Sequence, residues 1–318
     1  MTENNNGNNG NGMRIGVVGM GPVGAVLGAH LIEAGAFVVL CDLVHQKMDV
    51  IKKKGISLQF KFEKKIKVSE VCYSIQELQM YDLDLVILAV KTPVLEKVVA
   101  QLKEIKTDKM FVMVAQNGID NELIVAREFS DQKTLRMVIN YAGNISENIV
   151  HVSFFNPPNY LAALMPQGDE VAEKITKLLN SVDLTTEVPE DIVDHVWQKA
   201  ILNASLSAVC AITRKTMKEV MDFPMTHDLV EGIIDESVVI AEKEKIDLGK
   251  KFRRYSIRYL KNAGHHRPSM LVDLENGHRT EIDQLNGKIV DYGRKHYLPT
   301  PLNQSVTALV HLLEHLQE

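Results

Sequence analysis

One short stretch, Gly19-Met20-Gly21-Pro22-Val23-Gly24, constrains the fold of this chain more than any other. A brief apolar run, Ile15, Val17 and Val18, precedes it and reads as a buried strand. Val23, Val26, Leu27 and Leu31 then share one helical face, and Gly35 closes that helix. A second apolar run, Phe37 to Cys41, follows at once and ends on Asp42. A lone G-x-G-x-x-G says little. Here it has a strand before it, a helix after it, and a second strand with an acidic residue at the right distance, which is the context a dinucleotide-binding turn needs. Gly19 permits the tight turn, Gly21 lets backbone approach a pyrophosphate, and Gly24 lets helix and strand pack closely. The helix N-terminus directs free N–H groups and a positive dipole end at the phosphates. The expected cofactor contact is therefore the whole turn, Met20, Pro22 and Val23 included.

Asp42 lies eighteen residues past Gly24. A carboxylate there can accept hydrogen bonds from the adenosine ribose 2′-hydroxyl. It would repel a 2′-phosphate by about 3 kcal/mol at ~5 Å and an effective dielectric of ~20, before salt screening. NAD(H) is thereby favoured. His45, Gln46 and Lys47 follow, so a positive group is near and NADP(H) stays open. Asp42 could also simply point to solvent and cap a turn.

The alternation continues downstream. Leu85 to Val90 and Met110 to Ala115 are unbroken apolar runs, read as central parallel strands. Pro93 opens a helix after the first, and the second leads into Gln116-Asn117-Gly118. Leu135 to Ala142, Ile149 to Phe154, Leu161 to Met165 and Thr185 to Val188 read as further strands, with a helix over Val171 to Leu179. Beyond about residue 190 the pattern turns helical, over roughly 191–222, 226–246, 250–263, 281–295 and 302–316. The expected fold is α/β: an N-terminal Rossmann doubly wound sheet over 13–190, then an all-α domain over 191–318. Residues 1–12, rich in Asn and Gly, read as a disordered tail.

Composition excludes several classes. At 45% hydrophobic and 24% charged, this is a globular chain. A net charge of -5 offers no basic face for nucleic acid. No apolar run is long enough to span a membrane, and no secretion signal is visible, so a cytoplasmic protein is expected. Cys41, Cys72 and Cys210 are widely spaced with no C-x-x-C, and read as reduced, buried side chains. His151 and His195 have no partner at metal-ligand spacing, so no metal is expected.

The chemistry must come from a site, since this fold hosts many reactions. Lys199, Asn203 and Ser207 stand at i, i+4 and i+8 of one helix, among Ala200, Ile201, Leu202 and Leu206. Such a polar stripe can line something wet, and Lys199 could protonate a developing alkoxide as a carbonyl accepts hydride. Equally it could be a surface lysine with polar neighbours. Further on come Pro268-Ser269-Met270 and Thr280-Glu281-Ile282-Asp283. Thr280 with Asp283 reads as a capping box, and Glu281 could be there merely for the helix dipole. His265 and His266 read as a solvated loop, and Trp197 as packing at the domain junction.

Taken in order, the glycine turn, Lys91, Gln116-Asn117-Gly118, Lys199-Ala200-Ile201-Leu202-Asn203, Pro268-Ser269-Met270 and Thr280-Glu281-Ile282-Asp283 resemble the ketopantoate reductases (2-dehydropantoate 2-reductases). The likeness runs from Met13 onward at matching spacing, including the twelve-residue step from Ser269 to Glu281. It implies Lys199 as general acid, supported by Glu281; Asn117 near nicotinamide and substrate; Asn203 and Ser269 holding the substrate's carboxylate and hydroxyl groups; and Lys91 on the cofactor. It implies hydride transfer from NAD(P)H to the C2 carbonyl of ketopantoate, giving (R)-pantoate for pantothenate synthesis, and a possible homodimer.

Two residues depart from the family pattern. Ser207 stands where a second Asn is common, at the substrate's distal end, and Asp42 stands where NADPH enzymes carry a basic residue. An NAD-dependent D-2-hydroxyacid dehydrogenase acting on a branched or aromatic 2-oxo acid is therefore the alternative. A non-catalytic dinucleotide sensor would not need Lys199, Asn203, Ser269 and Glu281 together. A dehydrogenase of the 6-phosphogluconate type would not share the Gln116–Gly118 and Ser269–Glu281 pieces.

Overall fold

The computed structural model describes residues 12–146 and 149–317. The expected tail, but for Gly12, lies outside the described residues. Six parallel strands form the centre of the first sheet: Arg14–Val18, Phe37–Cys41, Glu70–Cys72, Leu85–Leu88, Phe111–Val114 and Thr134–Val138. Numbered along the chain, they lie in the order 3-2-1-4-5-6, the doubly wound arrangement whose ligand crevice opens where the order reverses. Asn159–Ala163 adds antiparallel to Thr134–Val138, and Thr186–Glu187 extends that edge. Central strands buried on both faces explain the unbroken apolar runs Leu85–Leu88 and Phe111–Val114. Helices Pro22–Glu33 and Asp169–Asn180 cover one face, while Leu95–Glu104 and Asn121–Phe129 cover the other.

The run expected as one strand over Leu135 to Ala142 divides at Ile139 and Asn140. The Asn140 amide donates to the Pro158 carbonyl, and its backbone N–H donates to Asn159 Oδ1. These bonds turn the chain out of the first sheet, so Tyr141–Ser146 and Ile149–Phe155 join Ile56–Phe60 and Lys64–Ile66 in a separate four-stranded sheet. Periodicity reports that a strand exists, not which sheet it enters.

From Ile192 onward the described elements are helical. The expected helix over 191–222 is two helices. Asp191 caps Ile192–Thr213, its side chain accepting from the Val193 N–H. Arg214 adopts a left-handed conformation that ends it (φ 55°), and Thr216 with Glu219 forms a capping box that starts Met217–Asp222. No capping box forms at Thr280 and Asp283. The Thr280 hydroxyl accepts from the Ile282 N–H, while Asp283 pairs with His311. The chain instead makes a π-turn, Asp283–Gly287, before helix Lys288–Lys295. The Ser269–Glu275 helix had been expected as loop.

Candidate active site

At the glycine turn, each of the three glycines is required for a different reason. Gly19 has φ +97°, and a Cβ there would lie 2.8 Å from the Ala89 carbonyl carbon. A Cβ on Gly24 would lie 2.0 Å from the Gly19 carbonyl oxygen, so helix and turn touch backbone to backbone. A Cβ on Gly21 would meet no protein atom within 4 Å. Nothing in the protein forbids a side chain at Gly21; the open space in front of it is what a pyrophosphate would fill. Pro22 at the first helical position gives up no needed N–H. The turn thus fits a dinucleotide.

Asp42 does not point to solvent. Its Oδ2 accepts from the Met20 N–H (2.8 Å) and from Lys47 Nζ (2.9 Å), and its Oδ1 accepts from the Val44 N–H (2.9 Å). Burial pushes its pKa up, but the Lys47 ammonium and the two backbone N–H groups outweigh burial and hold the carboxyl below its ordinary value. The carboxylate is therefore ionised at the edge of the turn, with a cation beside it.

The second part of the site is made of side chains. Asn203 and Ser207 from the Ile192–Thr213 helix, Ser269, Met270 and Asp273 from the Ser269–Glu275 helix, and Glu281 and Leu285 line one cavity with roughly 240 Å³ of empty space open to solvent. Lys199, one helical turn before Asn203, donates to the Ile139 carbonyl. That carbonyl sits at the break between two strands and so is free of either ladder. Burial pushes the Lys199 ammonium down to about 7; the Arg136 guanidinium pushes the same way, and Glu281 opposes it.

Glu281 is buried and its pKa is raised, chiefly by burial, with Lys91, Asn117 and Thr92 pulling it down and Asp273 pushing it up. It accepts from Thr92 Oγ1 (3.2 Å) and Asn117 Nδ2 (3.4 Å). Lys91 Nζ donates to Asp273 (2.6 Å), joining the sheet to the helices across the site. The cavity thus has a buried carboxylate and amide and hydroxyl groups for small polar substituents, with an amine poised near neutral pH one helical turn away.

Two family models cover most of the chain: ketopantoate reductase PanE/ApbA over residues 15–161 and its C-terminal model over 191–314. The chain belongs to the ketopantoate reductase family. It is an NAD(P)-dependent oxidoreductase. Proteins named 2-dehydropantoate 2-reductase are similar to it over nearly their whole length. The one from Archaeoglobus fulgidus is 28% identical, covering 95% of this chain and 98% of its own, and the one from Streptococcus pyogenes serotype M1 is 27% identical with the same coverage. Among solved structures, D-mandelate dehydrogenase with NADH and anilino(oxo)acetate is 26% identical, with a TM-score of 0.84 and coverage of 96% of this chain and 99% of that one. A PanE/ApbA family ketopantoate reductase from Ralstonia eutropha, at 24% identity and a TM-score of 0.86, shares the fold, covering 96% of this chain and 99% of its own.

Within this family member, Asn203, Ser207, Ser269 and Glu281, expected from sequence, share one cavity, with Lys199 one turn away. No hydrogen bond joins Lys199 to Glu281 among the described residues; the carboxylate reaches the amine only through space. Sequence reasoning missed Thr92, Asp273 and Arg136. Thr92 directly follows Lys91, and Asp273 stands one helical turn after Ser269, so both could have been found by extending a motif along its own element. His265 and His266 are exposed, and Trp197 packs at a tilt against Tyr292 inside the helical core. The three cysteines are buried and unpaired, their thiols pushed up by burial to about 12, 11 and 12 for Cys41, Cys72 and Cys210. No group among the described residues could hold a metal ion, and no helix is long and apolar enough to cross a membrane.

Proposed function

We propose that this family member reduces a 2-oxo acid to the corresponding 2-hydroxy acid, with ketopantoate to (R)-pantoate as its reaction. One observation carries the reading: Asn203, Ser207, Ser269 and Glu281 converge on a single small cavity, with the half-buried Lys199 one helical turn away.

Asn203 and Ser269 supply donors for the carboxylate and hydroxyl groups and so fix the carbonyl in one orientation. Lys199 delivers the proton to the carbonyl oxygen; an amine with a pKa of about 7 gives and regains a proton readily near neutral pH. Glu281 offsets the ammonium charge, and Thr92 and Asn117 hold its carboxylate in place. The glycine turn and Asn117 would hold the dinucleotide, whose reduced nicotinamide would supply the hydride. Lys91, whose amine meets Asp273 at the cavity wall, would contact the cofactor.

Asp42 favours NAD(H): its ionised carboxylate, bonded to the Met20 N–H at the edge of the turn, would repel a 2′-phosphate. Lys47 softens that preference by sharing the same oxygen. A second reading, an NAD-dependent D-2-hydroxyacid dehydrogenase for another 2-oxo acid, is supported by Ser207, which is smaller than the family's common Asn, and by the likeness to D-mandelate dehydrogenase. A homodimer belongs to the same proposal and is checked by sedimentation.

The deciding experiment follows absorbance at 340 nm with NADH and with NADPH against ketopantoate and a panel of branched and aromatic 2-oxo acids. Turnover of ketopantoate above the rest supports the first reading. Turnover of aromatic acids alone supports the second, and bound dinucleotide with no turnover of any acid overturns both.

A further inference from the structure

Arg136 interrupts a strand whose five residues are all buried. A guanidinium in such a place costs more than an apolar side chain unless something there uses its charge. Its Nη2 donates to the Gly118 carbonyl (2.8 Å), and its Nε approaches Glu122 Oε2 to 3.3 Å. Both side chains are almost wholly enclosed. Nε and Nη1 of Arg136 make no hydrogen bond in the described structure, so stability alone does not explain the residue.

The Gly118 bond ties down one side of the loop that carries Asn117. The other side is tied to the helical region. The Ile119 N–H donates to the Gln284 carbonyl (2.8 Å), and Asp120 meets Tyr292 and Lys288 (3.0 and 2.9 Å). A Cβ on Gly118, whose φ is +108°, would lie 2.6 Å from Gln284 Cβ. The loop therefore has one seating, and Arg136 is its anchor within the sheet. The Thr134–Val138 strand that carries Arg136 runs directly into Ile139, whose carbonyl accepts from the Lys199 amine, so the guanidinium and the amine sit on the same short stretch of backbone, and Lys199 feels the charges of Arg136 and Glu281. Arg136 in turn faces Glu122, Asp120 and Glu281, while Glu281 faces Lys91 and Asp273.

We infer that Arg136, balanced by Glu122, is a positioning residue for the reduction: it seats the Asn117 loop through the Gly118 carbonyl and sets how readily the Lys199 ammonium gives up its proton. This rests on the reading of Lys199 as general acid.

The test is the pH profile of kcat/KM for 2-oxo acid reduction, whose falling limb reports loss of the acid's proton in the free enzyme. Arg136→Met removes a like charge and moves that limb up, by on the order of one pH unit. Arg136→Lys keeps the charge and leaves the limb near its wild-type place, while Glu122→Gln leaves Arg136 unopposed and moves it down. The double variant Arg136→Met with Glu122→Gln buries no unpaired charge and moves the limb up by less than Arg136→Met alone. If Arg136→Met does not fold, the other variants carry the test. Limbs that coincide with wild type in Glu122→Gln and in the double variant overturn the inference. The parent reading fails separately: Lys199→Ala with undiminished turnover overturns the general acid, whereas an inactive Lys199→Ala beside unmoved limbs overturns only the role of Arg136.

Discussion

The glycine turn and the substrate cavity do their work by opposite means. The turn is six consecutive residues, and what matters in it is the absence of side chains at Gly19, Gly21 and Gly24. The cavity is made of side chains from separate segments: the Ile192–Thr213 helix, the Ser269–Glu275 helix, and the residues around Glu281, with Lys91, Thr92 and Asn117 reaching in from the sheet. One is built by local chain geometry. The other exists only when segments of the helical region far apart in sequence fold together, with the sheet meeting it through Lys91, Thr92 and Asn117. A ligand-binding turn can therefore be carried from fold to fold, whereas a catalytic cavity has to be assembled by each fold that has one.

The sharpest way to break this comparison is to make one region fail without the other. Lys199→Ala is expected to lower kcat by roughly 10²–10⁴-fold, the range of a lost general acid. Dinucleotide affinity, read by NADH fluorescence, should stay put. A parallel fall in affinity would mean the two regions are not separable. In the unaltered protein, Lys199 near a pKa of about 7 sets the sign of the pH dependence. Reduction needs the ammonium, so its kcat/KM should fall about tenfold per unit above that value, while oxidation of the 2-hydroxy acid should rise as the amine loses its proton. Opposed limbs in the two directions are the signature to look for.

Smaller changes probe the turn itself. Gly24→Ala presses a Cβ against the Gly19 carbonyl and should cost about 1–3 kcal/mol, read as a lower Tm, with weaker dinucleotide binding as well. Gly21→Ala meets no protein atom, so the Tm should hold while dinucleotide binding weakens. Equal behaviour of the two variants would remove the distinction drawn between them. Asp42→Ala should raise the NADPH-to-NADH ratio of kcat/KM by on the order of tenfold, since the repulsion is screened and Lys47 is then released to meet a 2′-phosphate. An unchanged ratio would show that Asp42 serves only to hold Met20 and Val44 in place.

The contrast also explains what could be read in the sequence. Gly19 to Asp42 was legible because spacing along one segment is the whole signal. Lys199, Asn203 and Ser207 stood out as a polar stripe from their helical spacing, but their roles, with those of Ser269 and Glu281, came from the family resemblance, and the residues alone had left Lys199 open between a proton donor and a surface lysine. The split at Ile139 and Asn140 was not legible, because its cause is an amide reaching Pro158 across the chain. Nor was the π-turn at Asp283–Gly287. There Asn286 is buried against Ala204 and Asn303, two partners far away in sequence. Arg136 was visible all along as a charge inside an apolar run, but only its partners, Gly118 and Glu122, tell what such a charge is for.

Lys91 and Asp273 meet across the mouth between the two regions, with the carboxylate buried and the lysine side chain half in solvent. A clasp with one end in water is tuned by the water. Raising ionic strength loosens it, and on the role proposed for Lys91 a negatively charged dinucleotide would compete with Asp273 for the same ammonium. Entry and exit of cofactor would then depend on salt through the doorway as well as through the ligand, and the two dependences would oppose each other on the way in.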